Sequence, residues 1–158
     1  MTTTTKSDRV DAFVALPALA LVGVSRTGKK FGNTAVRELR AKGYRVYPVH
    51  PEATEINGVR CYPRLADLPE PVTGLVVVVT PRAAIGVLAE AAAAGIRAVW
   101  LQQGSDSADV VARCRELGME PIAGECILMY ARPTGVHRLH GWIHRTFRAT
   151  SAGSAAAR

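Results

Sequence analysis

The chain has 158 residues, 48% apolar and 6% aromatic, a composition that suits one Ala/Val-rich α/β domain with a real core. No apolar stretch reaches the ~20 residues of a membrane span, and the leading MTTTTKSDR lacks the apolar core of a signal peptide. Three scattered cysteines, Cys61, Cys114 and Cys126, fit neither a disulfide framework nor a zinc site, so a cytoplasmic protein without membrane partner or bound metal is expected.

The net charge of +7 is uneven: five arginines and no carboxylate follow Glu125. Strong basicity is one mark of nucleic-acid binding. No RNA-binding aromatic motif or DNA-reading module accompanies it, so this segment reads as a solvated basic tail and nucleic acid is not an expected partner.

In chain order, residues 1–9 read as a flexible N-terminus running into a short helix over 7–16, stopped near Pro17. An apolar strand follows over 18–24. Its end, Gly23, opens a loop of glycines, hydroxyls and cations that carries Val24, Ser25, Arg26, Gly28, Lys29, Lys30, Gly32 and Asn33. A helix over 33–42 stops before Gly43, and a second strand covers 44–49. A short extra strand is expected over 59–62. The β-branched run 74–80 reads as a strand covered on both faces. Thr80 and Pro81 then make an N-cap and a Pro at the first helical position, opening a helix that ends at Gly95. A fourth strand over 97–101, a helix over 106–117 and a short fifth strand over 120–123 complete the pattern.

Strands separated by helices of this length give right-handed βαβ units and a parallel sheet. The expectation is a doubly wound α/β fold with a mostly parallel five-stranded sheet, as a single domain over 10–132. An added amphipathic helix is expected over 133–148 and a disordered tail over 149–158. Val136, Leu139, Ile143 and Phe147 form an apolar stripe on the added helix, suited to docking on the core or on a second copy in a homodimer. His137, His140 and His144 share its spacing, but no carboxylate or cysteine joins them as a metal site.

In such a fold the ligand sits beyond the C-terminal strand ends. Those ends carry Gly23, Val24 and Ser25; Pro48, Val49, His50 and Pro51; Val79, Thr80 and Pro81; Gln102, Gln103 and Gly104; and, past the short fifth strand, Gly124, Glu125 and Cys126, with Gln103, Gly104 and Cys126 taken as ligand contacts from the last two. A strand, a glycine loop and a helix in succession suit a phosphate ester. Two phosphate motifs nearly fit. Ser25 stands where a dinucleotide fingerprint has its middle glycine, and no carboxylate ends the second strand. Lys30 stands where a P-loop has the Ser or Thr that holds magnesium. No close carboxylate pair, local Cys-His pair or Ser-His-Asp order accompanies these ends. The site looks built to hold a ligand rather than transform it.

Several pieces recur in a telling order: Val22-Gly23-Val24-Ser25, Lys30-Phe31-Gly32-Asn33, and the run from Gly43 to Pro51. Asn57-Gly58 with Tyr62, Leu65 to Pro69, Gly95 to Gly104, and Cys126 to Met129 follow. Over about residues 10–130 the chain resembles the small stand-alone CoA-binding proteins. These are similar to the N-terminal Rossmann-like domain of the succinyl-CoA synthetase α subunit. The resemblance implies CoA or an acyl-CoA as ligand. Its nucleotide end would lie over the first loop, with Ser25, Lys29, Lys30 and Asn33 at the phosphates and further contacts at 48–51, Thr80 and Pro81. His50 stands where the family usually has Asn. The synthetase's second domain, with its phosphorylated histidine, has no counterpart here, so synthetase activity is not expected to carry over. The three loop cations, Arg26, Lys29 and Lys30, match the three phosphate groups of CoA. An extended pantetheine would bring its thiol toward Cys126, for which an inert buried thiol is the plainer reading. Two alternatives stay open. One is an NADP-preferring oxidoreductase with Arg26 or a loop lysine on the 2′-phosphate. The other is a CoA-binding partner subunit of an acyl-CoA synthetase.

Overall fold

Four parallel strands form the centre of the computed structural model, which describes residues 4–132. They are β1 (Ala18–Val22), β2 (Arg45–Val49), β5 (Gly74–Val77) and β6 (Ala98–Leu101), in the order β2-β1-β5-β6. A two-stranded antiparallel hairpin, β3 (Glu55–Ile56) and β4 (Val59–Arg60), lies beside them. The expected amphipathic helix over 133–148, with its dimer stripe and histidines, and the tail over 149–158 lie outside the described residues. No helix of the described residues is long and apolar enough to cross a membrane.

Alternation along the strands sorts the core into two layers. Leu19 and Leu21, with Val76 and Trp100, pack against α1 (Lys6–Val14), α2 (Phe31–Ala41) and α5 (Ile127–Tyr130). Ala18 and Ala20, with Val77 and Leu101, pack against α3 (Pro81–Ala93) and α4 (Ala108–Glu116). Helices on both faces make the sheet doubly wound. The chain leaves β1 toward β2 and returns on the other side to β5, so β1 and β5 flank the point where the winding reverses. Register pairs Val22 with Val49 and with Val77, and Val77 with Leu101. The four strands therefore stop level, and the residues that follow form one edge.

Three expectations are corrected. The first strand stops at Val22, two residues early, because Gly23 turns the backbone to φ +124°. The fifth strand is reduced to a single parallel bridge between Trp100 and Ile122. Pro121 cannot donate to a ladder, and Gly124 turns away at φ +77°. The extra strand over 59–62 becomes half of the β3–β4 hairpin, while Tyr62 bridges Val49 on the sheet edge. The hairpin turns through Asn57 at φ +52° and Gly58 at φ +75°, the two positive values a tight two-residue turn demands.

The N-terminal segment also differs. A reciprocal cap between Thr5 and Asp8 starts α1 at Lys6, one residue before the expected helix. Ion pairs from Lys6 to Glu125 (2.7 Å) and from Arg9 to Glu120 (2.8 Å) lay this helix against the chain after β6.

Candidate functional site

The loop after β1 is shaped by close backbone approach. A Cβ on Gly23 would lie 2.1 Å from the Val78 carbonyl oxygen, and one on Gly32 would lie 2.2 Å from the Gly23 carbonyl oxygen. Only glycines allow α2 to start this close to the end of β1. Between them, Gly28 N–H donates to Ser25 O (2.9 Å), closing a turn. The Ser25 hydroxyl accepts from Thr27 N–H (3.3 Å) and sits 2.9 Å from the Thr27 hydroxyl. Asn33 fixes the loop from behind: its Oδ1 accepts from Ser25 N–H (3.0 Å) and its Nδ2 donates to Ser25 O (2.9 Å).

Lys30 is the N-cap of α2. No side chain caps that helix, and no acidic residue lies in its first turn. Helix geometry leaves the first amides of α2 without intrahelical partners, and the helix dipole adds positive potential at this end. Lys29 and Lys30 are exposed beside them. Arg26 is 3.3 Å from Glu52 with both side chains about two-thirds exposed, a weak pair that leaves the guanidinium within reach of a stronger anion.

The other expected residues divide. His50 Nδ1 accepts from the Glu52 and Ala53 amides (3.1 and 3.0 Å), which caps the turn through Pro51 and leaves Nε2 as the ring's remaining polar atom. Val49 is buried in the layer that faces α3 and α4. Thr80 caps α3 through the Ala83 amide (3.5 Å), with Pro81 opening the helix. Gln103 and Gly104 are exposed at the end of β6. Cys126 is half-buried at the N-cap of α5, next to Glu125, whose carboxylate is engaged by Lys6 and by the Tyr130 hydroxyl (2.9 Å). Those two partners hold the Glu125 carboxyl below its ordinary range. The remaining thiols belong to the core: burial pushes Cys114 up to about 11 and raises Cys61.

Residues not expected at the site shape the same edge. Gln102, not Gln103, is the buried glutamine, and its Oε1 accepts from Ile127 N–H (3.2 Å). Asp106 accepts from the Gly104 and Gly124 amides (3.1 and 2.8 Å), pinning the loop after β6 to the loop after Ile122. An Asp two residues past Gly104 is the available signal, since Asp bonds readily to backbone two residues away. Ser105 donates to Val79 O (2.6 Å). Beside the glycine loop, α2 and the hairpin form a cleft of roughly 200 Å³. Val24, Val36, Pro48, Ile56 and Val59 line it, with Arg37, Arg40 and Asn57 among its polar lining residues. Pro48 thus faces this cleft.

Among the described residues no group of three His, Cys, Asp or Glu is placed to hold a metal. The donor set is instead backbone amides, small hydroxyls and lysines, which fits phosphate esters such as those of CoA.

Known proteins share this chain's sequence pattern and fold. The chain is 35% identical over 82 residues to an ADP-forming acetate–CoA ligase of Archaeoglobus fulgidus, which covers 51% of this chain and 12% of the ligase. It is 24% identical over 149 residues to the α subunit of an ADP-forming acetate–CoA ligase of Pyrococcus furiosus, covering 87% of this chain and 31% of that subunit. The chain thus spans under a third of either relative. A conserved hypothetical protein of Pyrococcus furiosus has a solved structure that superposes with a TM-score of 0.66. It is 37% identical and covers 71% of this chain and 97% of its own. Residues 18–132 match the CoA binding domain family, whose span takes in the glycine loop, all four strand ends and α5. The chain belongs to that family.

Proposed function

We propose that this protein binds CoA or an acyl-CoA, with the nucleotide phosphates on the loop from Gly23 to Asn33, and performs no chemistry of its own. One observation carries the reading. A glycine-built loop leads into the uncapped, acid-free start of α2 beside the reversal of winding between β1 and β5. That is where a doubly wound sheet binds its ligand. In this reading the first amides of α2 and the Ser25–Gly28 turn take the phosphates, with Lys29 and Lys30 neutralising them. His50 and Pro51 contact the ligand from the end of β2, and Thr80 and Pro81 from the end of β5. The level strand ends then leave a track past Gln103 and Gly104 toward Cys126 for the pantetheine arm. CoA supplies a thiol for acyl transfer, while the residues of this chain hold and orient it.

The test is calorimetric titration of CoA, NAD and NADP into the full chain, with identification of nucleotides released on denaturation. CoA bound at least tenfold more tightly than either dinucleotide supports the reading. Equal binding of CoA and NAD removes it.

A second reading, a CoA-binding partner of an acyl-CoA synthetase, is favoured by the likeness to a ligase α subunit over 87% of the chain. The same domain would then present its thiol to a catalytic chain supplied separately. Co-purification with a nucleotide-grasp protein supports this version, and a chain that purifies alone with CoA bound favours the first.

A further inference from the structure

The cleft between α2 and the β3–β4 hairpin is the least explained feature near the phosphate loop. It is continuous with that loop. Val24 and Asn33 line both, and Asn57 Nδ2 on the hairpin turn lies 3.5 Å from Gly28 O. Its roughly 200 Å³ is below the ~300–1,000 Å³ of a pocket that holds a whole drug-sized ligand. It therefore suits one end of a ligand whose remainder lies elsewhere. Its lining is mostly apolar, and its only charged residues are two arginines; no Asp or Glu contributes.

Those arginines are weakly committed. Arg37 meets Glu38, its chain neighbour, at 3.2 Å with both side chains exposed, a pair of the weak kind. Arg40 donates to Val46 O at the long distance of 3.5 Å. They sit three residues apart, on one face of α2. Arg40 reaches toward Val46 at the start of β2, and Arg37 stands one turn nearer the loop, so the two guanidinium groups are spaced along the wall of the cleft. Two guanidinium groups above an apolar slot, next to an amide-rich loop, match a flat heterocycle whose ribose carries its own phosphate.

We infer that this cleft takes the adenosine end of CoA and that Arg37 and Arg40 read its 3′-phosphate. The inference rests on the proposed CoA site and adds its specificity. Arg37 and Arg40 set the preference for CoA over the same molecule without the ribose phosphate. His50, with Nδ1 already committed to the Glu52 and Ala53 amides, is a lesser contributor.

The test is titration of CoA, dephospho-CoA and adenosine 3′,5′-bisphosphate into the full wild-type chain, an Arg37→Gln/Arg40→Gln variant and His50→Ala. Both arginines are exposed, so the double variant retains the fold. The expected result is a wild-type preference of about tenfold or more for CoA over dephospho-CoA. It falls to about threefold or less in the arginine variant, while dephospho-CoA affinity is unchanged. The bisphosphate competes with CoA on the wild type and fails to do so on the variant. A preference that survives in the arginine variant, or that disappears in His50→Ala instead, overturns the inference. So does an affinity that grows with acyl-chain length and ignores the arginines, which gives the cleft to an acyl group. Tight CoA binding with no preference over dephospho-CoA sinks this inference alone. Failure of both to bind sinks the CoA site as well.

Discussion

The side-chain amide of Asn33 meets both backbone groups of Ser25, accepting from its N–H at 3.0 Å and donating to its carbonyl at 2.9 Å. The two residues are eight apart, and the pair locks the glycine loop onto the first turn of α2. Asn33 is 5% exposed, so its expected role is to hold the shape of the loop. Asn33→Ala removes two hydrogen bonds at a half-buried turn. It is expected to cost about 1–3 kcal/mol of stability and to weaken CoA binding with it. Denaturant unfolding and calorimetry check this; a variant with wild-type stability and weakened binding would make Asn33 a direct ligand contact.

Two glycine substitutions should move stability in opposite directions. Gly32→Ala drives a methyl to 2.2 Å from the Gly23 carbonyl oxygen, where backbone has to shift, and is expected to destabilise by about 1–3 kcal/mol. Gly86→Ala, in α3 with open space around the added carbon, is expected to stabilise by about 0.5–1 kcal/mol through helix propensity. Thermal melts of the two variants against wild type decide both signs.

Lys29→Ala with Lys30→Ala is expected to weaken CoA binding by about 1–3 kcal/mol, the scale of charge-assisted hydrogen bonds. The unfolding midpoint should stay in place, because both side chains are exposed and the N-cap of α2 makes no side-chain bond. Ser25→Ala should cost less than the double variant. Unchanged affinity in the double variant would move the phosphates off this loop.

Acid should loosen the β2 edge. The Arg45 guanidinium, at 2.7 and 3.2 Å, and then the Tyr47 hydroxyl hold the Glu70 carboxyl below its ordinary value, partly offset by burial. A carboxyl depressed in the folded state contributes stability above its unfolded value and loses it as the pH falls through the folded one. Glu70→Gln is therefore expected to lower stability at neutral pH. It should also flatten the loss of stability below the ordinary carboxylate value of 4.5. Parallel pH titrations of the denaturant midpoint check this; identical slopes in both proteins would remove Glu70 from the acid response.

The strands and helices were legible because their signals are local. The β-branched run that contains β5 and the glycines at 43, 95 and 118 need no tertiary context. The loop was legible for the same reason. What Asn33 does was not, since its partner is eight residues away and the contact exists only once the loop closes. The fifth strand failed because one proline and one glycine within four residues leave room for a single bridge. Nothing local in the sequence singles out Arg37 and Arg40; the hairpin, turned by Asn57 and Gly58, puts an apolar wall beside them.

Helix α1 ends before residue 18, where the family match begins, yet Phe13 is 2% exposed and its ring lies 5.5 Å from that of Trp100. A Cβ on Gly74 would meet Leu16 at 2.6 Å, so β5 is cut to the shape of this N-terminal segment. The packed core thus extends beyond the span of the family match. A fragment trimmed to the family boundary would lose the burial of Val10, Phe13 and Val14, about 1.5–3 kcal/mol for each large side chain. It would also set the indole of Trp100 against water.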